Sequence, residues 1–351
     1  MPTAVRRARA PGRVTLIGDH TDYNDGLSLP MAIGLATEAA FTPSPGTFLI
    51  GVHSDQFPEP WELPLDGTAP AAPHAALAAG LIGLLRPPSG GRLEVTSTLP
   101  LGAGLSSSAA FSVALLLVLG DVGLDDPIDP VAMARRDQEA EALAGAHVGL
   151  LDPMAICAAR PGHAVLIDFA TLTTDLVAVP AEAAFVVVHS ETSRVLADSG
   201  YAQRRGECEL AARQLGMPLG RAQLGDLSQI ADPVLRRRAR HVVTECARVR
   251  EVTRLLTRGG PANLHAIGEV MTDGHHSLAG DYKCSTPEVD ELVESLLALP
   301  GVHGARMTGG GFGGCVIALC DPDSPALEPE THAPRRAWRV SPSAGAALLA
   351  T

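Results

Sequence analysis

The sequence predicts an α+β protein of two domains, in which helices pack on mixed sheets. Its 351 residues and its apolar content of 46% are enough for two hydrophobic cores. Helical patterns dominate residues 199–299. Short alternating or apolar runs predict strands at residues 13–17, 47–54, 92–99, 163–169, 184–189 and 315–320.

The segment PLGAGLSSSAA (Pro100–Ala110) lies between the predicted strand 92–99 and an apolar run at 109–119 that predicts a helix. A strand, a glycine-rich turn and a helix in this order point free backbone N–H groups at an anion. Gly102 and Gly104 permit positive φ angles, and the three serines that follow offer hydroxyls to a helix cap, a phosphate or a metal. A plain capped turn before a core helix remains the alternative.

Charge and composition exclude several classes of protein. The net charge of −12 argues against nucleic-acid binding, and the basic cluster at 236–240 is explained by a solvated helix face. The longest apolar run is too short to span a membrane, and no apolar run follows the arginines near the N-terminus, which predicts a cytoplasmic protein. The sole lysine, Lys283, precedes Cys284, so neither a Walker A loop nor a protein-kinase lysine is present. Six cysteines without a CxxC pair are expected to be reduced and mostly buried.

A polar cluster, GDHTDYNDG at residues 18–26, follows the predicted strand 13–17. A turn would need no more than its last three residues. Asp19, His20 and Asp22 therefore supply additional polar groups at a strand end, where hydroxyl-rich ligands are often held. A solvated loop with a helix cap remains the alternative.

Two helix starts carry further carboxylates. Asp129 as N-cap and Pro130 at the first helical position predict a helix over 129–147, on which Glu139 by itself would be a surface residue. Asp152, followed by Pro153, is expected to cap the next helix. A third glycine-rich segment, GARMTGGGFGGC (Gly304–Cys315), contains a GxGxxG pattern, but it leads into a strand, which argues against a dinucleotide fold.

Three segments, PGRVTLIGDHTDYNDGLSLPMAI (Pro11–Ile33), Pro100–Ala110 and Gly304–Cys315, resemble in this order the three motifs of the galactokinases, within the GHMP small-molecule kinase superfamily. The resemblance extends from about residue 10 to residue 320. It implies an N-terminal domain at 1–178, a C-terminal domain at 179–351 and an active site between them. In the family, the first motif binds sugar, the second binds the phosphates of ATP, and the third supports the second.

The resemblance implies an activity. The expected reaction is ATP-dependent phosphorylation of the anomeric hydroxyl of galactose to galactose 1-phosphate, in galactose catabolism, by a monomer that uses ATP and Mg²⁺. Asp152 matches the family's catalytic base, and Arg13 matches its catalytic arginine.

The resemblance also implies three groups of binding residues. The sugar would be bound by Asp19, His20, Thr21, Asp22, Gly149 and Tyr201. The nucleotide would be bound by Gly102, Ala103, Gly104, Leu105, Ser106, Ser107 and Ser108, with Ser54 nearby. The metal would be bound by Ser108 and by Glu139, the first glutamate of the segment QEAE.

The sequence departs from the family at Asp19, where a glutamate is usual, at Thr15, where an asparagine is usual, and at Pro153, where a glutamine is usual. Asp19 is one methylene shorter, so another sugar, such as arabinose or N-acetylgalactosamine, remains open. A non-catalytic sugar sensor is a second alternative, which the complete phosphate loop and the base disfavour. A kinase of mevalonate or homoserine is disfavoured because the polar cluster suits a polyol.

Overall fold

The computed structural model describes residues 4–68, 75–120, 128–145, 149–192, 197–260 and 262–350. The strands are β1 (Arg6–Ile17), β2 (Leu27–Pro43), β3 (Leu49–Ser54), β4 (Phe57–Pro64), β5 (Gly91–Ser97), β6 (His163–Asp168), β7 (Thr173–Ala178), β8 (Ala184–His189), β9 (Val302–Thr308), β10 (Cys315–Cys320), β11 (Ala337–Val340) and β12 (Ala347–Leu349). The α-helices are α1 (Ala76–Leu85), α2 (Ser107–Leu119), α3 (Pro130–Leu143), α4 (Leu151–Ala158), α5 (Ala197–Leu215), α6 (Pro233–Arg258), α7 (Ala262–Ser277) and α8 (Pro287–Leu297).

The first sheet has the strand order β12–β1–β2–β5–β3–β4, and β6 joins it by pairing with β2 and β7. Its pairs are antiparallel, apart from the parallel pair of β3 and β5. Helix α2 packs against β1 and β2 and is buried over nearly its whole length. This burial explains why the predicted helix at 109–119 has an apolar run in place of an amphipathic pattern. The phosphate loop is therefore fixed at the start of a core helix.

The second sheet is antiparallel, in the order β11–β8–β10–β9. Every residue of β10 is buried, as its apolar sequence CVIALC requires of a strand covered on both faces. Together the two sheets and their helices confirm the predicted α+β class. The strand β10 also confirms that the third glycine-rich segment leads into a strand.

The two halves of the chain are interleaved. Strand β12, near the C-terminus, pairs with β1 of the first sheet. Helix α6 contributes Val249 and Val252 to the core that contains the first sheet, and Leu235 and Val242 to the core of the second. The division at 178/179 stays a prediction.

Two proline-rich parts of the chain contain regular structure. Strand β4 follows β3 directly and includes three prolines, Pro58, Pro60 and Pro64. They are compatible with a strand because β4 lies at the edge of the sheet. The proline-rich segment 321–336 contains two short 3₁₀ helices that bury Ala326 and Leu327.

The six cysteines are free and buried, as predicted. Among the described residues, no helix is both long enough and apolar enough to cross a bilayer.

Candidate active site

One cavity, of about 1070 Å³, lies between the loop after β1, the phosphate loop, the start of α4 and the helices α3 and α5. Most of the predicted site residues line it: Arg13, Asp19, His20, Asp22, Gly102, Gly104, Ser106, Ser107, Ser108, Gly149, Asp152 and Tyr201. The three sequence motifs therefore meet at a single cavity.

Asp152 is held by two partners from different motifs. Arg13 donates to its Oδ1 from Nε at 2.8 Å and lies 2.6 Å from the same oxygen through Nη2. The hydroxyl of Ser106 donates to Oδ2 at 2.5 Å. Helix α4 begins at Leu151 after Leu150 as N-cap, so the expectation that Asp152 caps this helix is wrong. Its carboxylate faces the cavity instead.

The phosphate loop is fixed from two sides. Arg13 donates from Nη1 to the carbonyl of Gly104 at 2.7 Å, and its backbone N–H donates to the carbonyl of Leu105 at 3.2 Å. On the other side, a Cβ at Gly309 would lie only 3.0 Å from the Gly104 oxygen. The third motif therefore packs directly on the phosphate loop, as the resemblance implied. Ser106 has a φ of 63°, which turns its hydroxyl to Asp152 and leaves the start of α2 without a side-chain cap.

Asp22 and Gly149 form one wall of the cavity. A Cβ on Gly149 would lie 1.6 Å from Oδ2 of Asp22, so any larger residue at 149 would displace this carboxylate. Burial and then the charge of Asp152 raise the pKa of Asp22 to about 6. The ring of Tyr201 lies beside this wall, 5.6 Å from the ring of His20.

Asp19 belongs to a buried ion-pair network, although it also touches the cavity. Its Oδ2 accepts from Nη2 of Arg306 at 2.8 Å, and its Oδ1 accepts from the Gly309 N–H at 2.9 Å. Arg306 also pairs with Glu245 at 2.8 Å, and Glu245 accepts from the Gly18 N–H. Burial raises the pKa of Asp19 to about 6 in spite of Arg306. Burial opposes the ionisation of Glu245, but Arg306 and Arg248 hold the pKa of Glu245 well below its ordinary value.

The metal assignment of Glu139 needs a correction. Glu139 is exposed and does not line the cavity, whereas Asp137 and Glu141 are buried and do line it. Residues four apart share a helix face, and a residue midway between them points to the opposite side, so 137 and 141 face the cavity together. Burial, opposed by the Ser112 hydroxyl, raises the pKa of Asp137 to about 7, and burial together with Asp152 raises that of Glu141.

Four other predicted residues lie outside the lining. The Thr21 hydroxyl donates to the carbonyls of Gly18 and Leu27, and Ala103 and Leu105 are buried in the core. Ser54 ends β3 and accepts from the Gln56 N–H. The ligand roles of these four residues stay predictions.

Arg205 is a cavity residue that the motifs did not reveal. Its guanidinium lies 5.8 Å from the centre of the Tyr23 ring, and its Nε lies 3.3 Å from Glu209. Its charge lowers the pKa of Asp22, in opposition to burial and Asp152. The signal in the sequence was its spacing, because residue 205 lies one helical turn after Tyr201.

Behind the first motif, His241 is buried and is expected to make stability depend on pH. Burial lowers its pKa to about 4, from 6.5 in the unfolded chain. Below pH 6.5 the His241 imidazole is protonated in the unfolded chain but stays neutral in the folded chain. The free energy of unfolding therefore decreases as the pH falls. We expect the free-energy difference in unfolding between the native protein and His241→Gln to shrink by about 1.4 kcal/mol per pH unit from 6.5 towards 4. Urea unfolding of both proteins across this range measures it, and a constant difference would contradict it.

The comparisons with known proteins agree with this geometry. Residues 3–43 match the galactokinase galactose-binding signature, residues 74–160 the N-terminal domain of GHMP kinases, and residues 254–328 their C-terminal domain. The fold and the site thus define a GHMP kinase. The chain is 41% identical over 328 residues to galactokinase of Homo sapiens, which covers 89% of this chain and 83% of that protein. It is 42% identical over 327 residues to galactokinase of Mycobacterium tuberculosis, and this match covers 90% of this chain and 88% of that protein.

Solved structures give the same result. The structure of Lactococcus lactis galactokinase complexed with galactose is similar with a TM-score of 0.87 and 28% identity, covering 98% of this chain and 95% of that one. Mevalonate kinase of Methanococcus jannaschii, at 18% identity and a TM-score of 0.68, shares the fold. The chain belongs to the galactokinase family. The predicted family, fold and enzyme class are confirmed.

Proposed function

We propose that this chain transfers the γ-phosphoryl group of ATP to the anomeric hydroxyl of galactose, giving galactose 1-phosphate. The observation that carries this proposal is the position of Asp152. Its carboxylate is held by Arg13 of the first motif and Ser106 of the phosphate loop, and it lines the same cavity as Asp22, Tyr201 and Ser108. A carboxylate between a polar sugar wall and a phosphate loop is where a hydroxyl would be deprotonated during transfer.

Asp152 acts as the general base in this proposal. Ser106 and Arg13 fix its orientation from both oxygens, so that the remaining lone pairs face the cavity. Arg13 also binds the carbonyl of Gly104, so a single guanidinium connects the base with the phosphate loop. Its positive charge stabilises the phosphoryl group as negative charge develops on it.

The sugar is proposed to lie against Asp22, Tyr201 and His20. Among the described residues, no hydrogen bond of good geometry reaches the buried Nε2 of His20, which has the Gly310 backbone nearby, or the buried hydroxyl of Thr15, and both residues line the cavity. Buried polar atoms are normally paired, so these two are suited to sugar hydroxyls. Asp19 already accepts one hydrogen bond on each oxygen, and we assign it chiefly to joining the first and third motifs.

The donor atoms at the other end fit Mg²⁺. The Ser108 hydroxyl and the carboxylates of Glu141 and Asp137 are hard oxygen donors, and magnesium usually takes one or two carboxylates together with phosphate and water. When bound, the ion would neutralise charge on the phosphates of ATP. Ser108 and Glu141 would hold it, with Asp137 next to Glu141. Glu139 has no part in this set.

Glu141→Gln is expected to raise the Mg²⁺ concentration required for half-maximal activity by about 10–100-fold, because a charged ligand is lost. Titration of Mg²⁺ at saturating ATP and galactose measures this shift. The matched control is Glu139→Gln, the same change two residues away on the exposed side of α3, which should leave the requirement unaltered. A shift in Glu139→Gln alone would restore the original assignment, and equal shifts in the two variants would contradict the assignment to Glu141.

A coupled assay of ADP release across galactose, arabinose and N-acetylgalactosamine tests the function itself. We expect the largest kcat/KM with galactose. If galactose ranks last, the substrate is wrong. If galactose binds but no sugar stimulates ADP release, the chain is a sugar sensor.

Whether the protein is a monomer and where in the cell it acts stay predictions.

A further inference from the structure

His20 is connected to a chain of three polar groups behind the cavity, of which Tyr282 and Cys208 are buried and Tyr23 is half-buried. Its Nδ1 lies 2.8 Å from the Tyr23 hydroxyl, which lies 2.7 Å from the Tyr282 hydroxyl. The Tyr282 hydroxyl in turn lies 3.2 Å from Sγ of Cys208. The centre of the Tyr282 ring also lies 4.6 Å from the centres of the rings of both His20 and His241, which are tilted against it. Four polar groups from three separate segments thus form one line that ends at the cavity.

Tyr282 is held in place by an unusual piece of backbone. It ends a π-helical turn, Leu278–Tyr282, that continues α7, and such turns occur often at functional sites. Two buried arginines bind the carbonyls of this region. Arg204 donates to Tyr282 at 2.7 Å and to Lys283 at 2.9 Å, and Arg238 donates to Asp281 at 2.6 Å. The position of the Tyr282 hydroxyl is therefore fixed by the fold.

Each of the three hydrogen bonds in this line uses one hydrogen, and the hydrogens can all point towards His20 or all point away. Burial keeps them in place, because it raises the pKa of both tyrosines well above 10 and that of Cys208 to about 11. Burial also lowers the pKa of His20 to about 3, so its ring is neutral. A neutral ring carries its hydrogen on one nitrogen only, and the partner of the other nitrogen decides which.

The direction towards His20 is favoured because it pairs a phenol O–H, a good donor, with the imidazole nitrogen, a good acceptor. In it, the thiol donates to Tyr282, Tyr282 donates to Tyr23, and Tyr23 donates to the imidazole nitrogen. The reverse direction would place an imidazole N–H on a phenol oxygen and a phenol O–H on sulfur, which is a weak acceptor. If the oxygen of Tyr23 accepts from Tyr282, the hydrogen of Tyr23 is left to point to His20.

We propose that Tyr282 is a positioning residue that acts through Tyr23, fixing His20 as the tautomer with its hydrogen on Nε2, so that His20 donates a hydrogen bond to the sugar. The Nε2 of His20 is buried, and His20 lines the cavity. No hydrogen bond of good geometry reaches Nε2 among the described residues, and the Gly310 backbone beside the ring is the group with which a sugar hydroxyl would compete. The donor role of His20 towards sugar rests on the proposed function, whereas the tautomer does not.

Long-range ¹H–¹⁵N correlation spectra of histidine-labelled protein, without ligand at pH 7.5, report which ring nitrogen carries the hydrogen. His20 is identified by the signals that disappear in His20→Gln. We expect hydrogen on Nε2 in the native protein and a mixture of tautomers in Tyr282→Phe. KM for galactose should rise about 5–10-fold in Tyr282→Phe, the loss of one oriented hydrogen bond, while KM for ATP stays within about twofold.

Cys208→Ala distinguishes the two directions. If the hydrogens point towards His20, removing the thiol leaves the tautomer unchanged, because Tyr282 still donates to Tyr23. If they point away, removal takes the last acceptor and the tautomer changes, which overturns the proposal. Hydrogen on Nδ1 in the native protein, or a single unchanged tautomer in Tyr282→Phe, would also overturn it. Should Tyr282→Phe fail to fold, Tyr23→Phe removes the direct donor and is expected to give the same mixture.

These readouts separate the two proposals. If the protein phosphorylates no sugar but Tyr282→Phe gives a mixture of His20 tautomers, the proposed function is wrong and the proposed role of Tyr282 stands.

Discussion

Replacing Asp152 with asparagine is expected to lower kcat by about 10²–10⁴-fold while the protein stays folded. Asparagine has nearly the same shape, and its oxygen can still accept from Arg13, but its amide cannot take a proton from the sugar hydroxyl. The measurement is ADP release at saturating ATP and galactose, with the melting temperature as a check on folding.

Arg13→Met should also abolish most turnover, because it removes the cation beside both Asp152 and the phosphate loop.

Ligand binding serves as the control for Asp152→Asn. Galactose and ATP should still raise the melting temperature of this variant, since the substitution replaces no residue of the phosphate loop and none of the wall at Asp22. A variant that binds both ligands and keeps a rate near that of the native protein would show that Asp152 is not the base. A variant that binds neither would show instead that the asparagine disturbs the cavity.

Local signals predicted the elements that hold the site. Asp129 caps α3 by accepting from the N–H groups of Val131 and Ala132, and Pro130 begins the helix, as expected. The strand, loop and helix around the phosphate loop also formed where predicted. These features depend on neighbours within a few residues, which a single sequence contains.

The period of about 3.6 residues per turn could also have shown that residue 139 lies on a different face of α3 from residues 137 and 141. In the segment QEAE, residue 141 lies one turn after Asp137, and residue 139 faces the other way. Matching the motif by its first glutamate selected residue 139, which is exposed, whereas residues 137 and 141 line the cavity.

Other parts of the site depend on contacts between distant segments. Arg238, in the cluster predicted to be solvated, is buried, because Glu207 and the carbonyl of Asp281 reach it from elsewhere in the chain. Asp19 meets Arg306 across 287 positions. The charge of a residue gives no indication of which distant partner will pair with it, so burial of this kind could not be predicted from one sequence.

Replacing Arg306 with methionine is expected to lower the free energy of unfolding by about 3–5 kcal/mol. Arg306 is completely buried and pairs with both Asp19 and Glu245, so its loss leaves Asp19 in the interior without its partner and Glu245 with Arg248 alone. It joins the loop after β1 to α6 and β9, and therefore links both sheets. Urea unfolding at pH 7.5 measures the change. Arg254→Met is the matched control, and should change stability little, because its pair with Glu251 is exposed.

Further substitutions in this network separate charge from packing. If uncompensated charge causes the loss, adding Asp19→Asn to Arg306→Met should restore part of the stability, because the buried carboxylate that has lost its partner is removed. Adding Glu245→Gln to Arg306→Met should restore less, because Glu245 keeps its pair with Arg248. If each added change lowers stability further, the loss comes from packing and the account of charge is wrong. The added variants also give a measurable result if Arg306→Met alone does not fold.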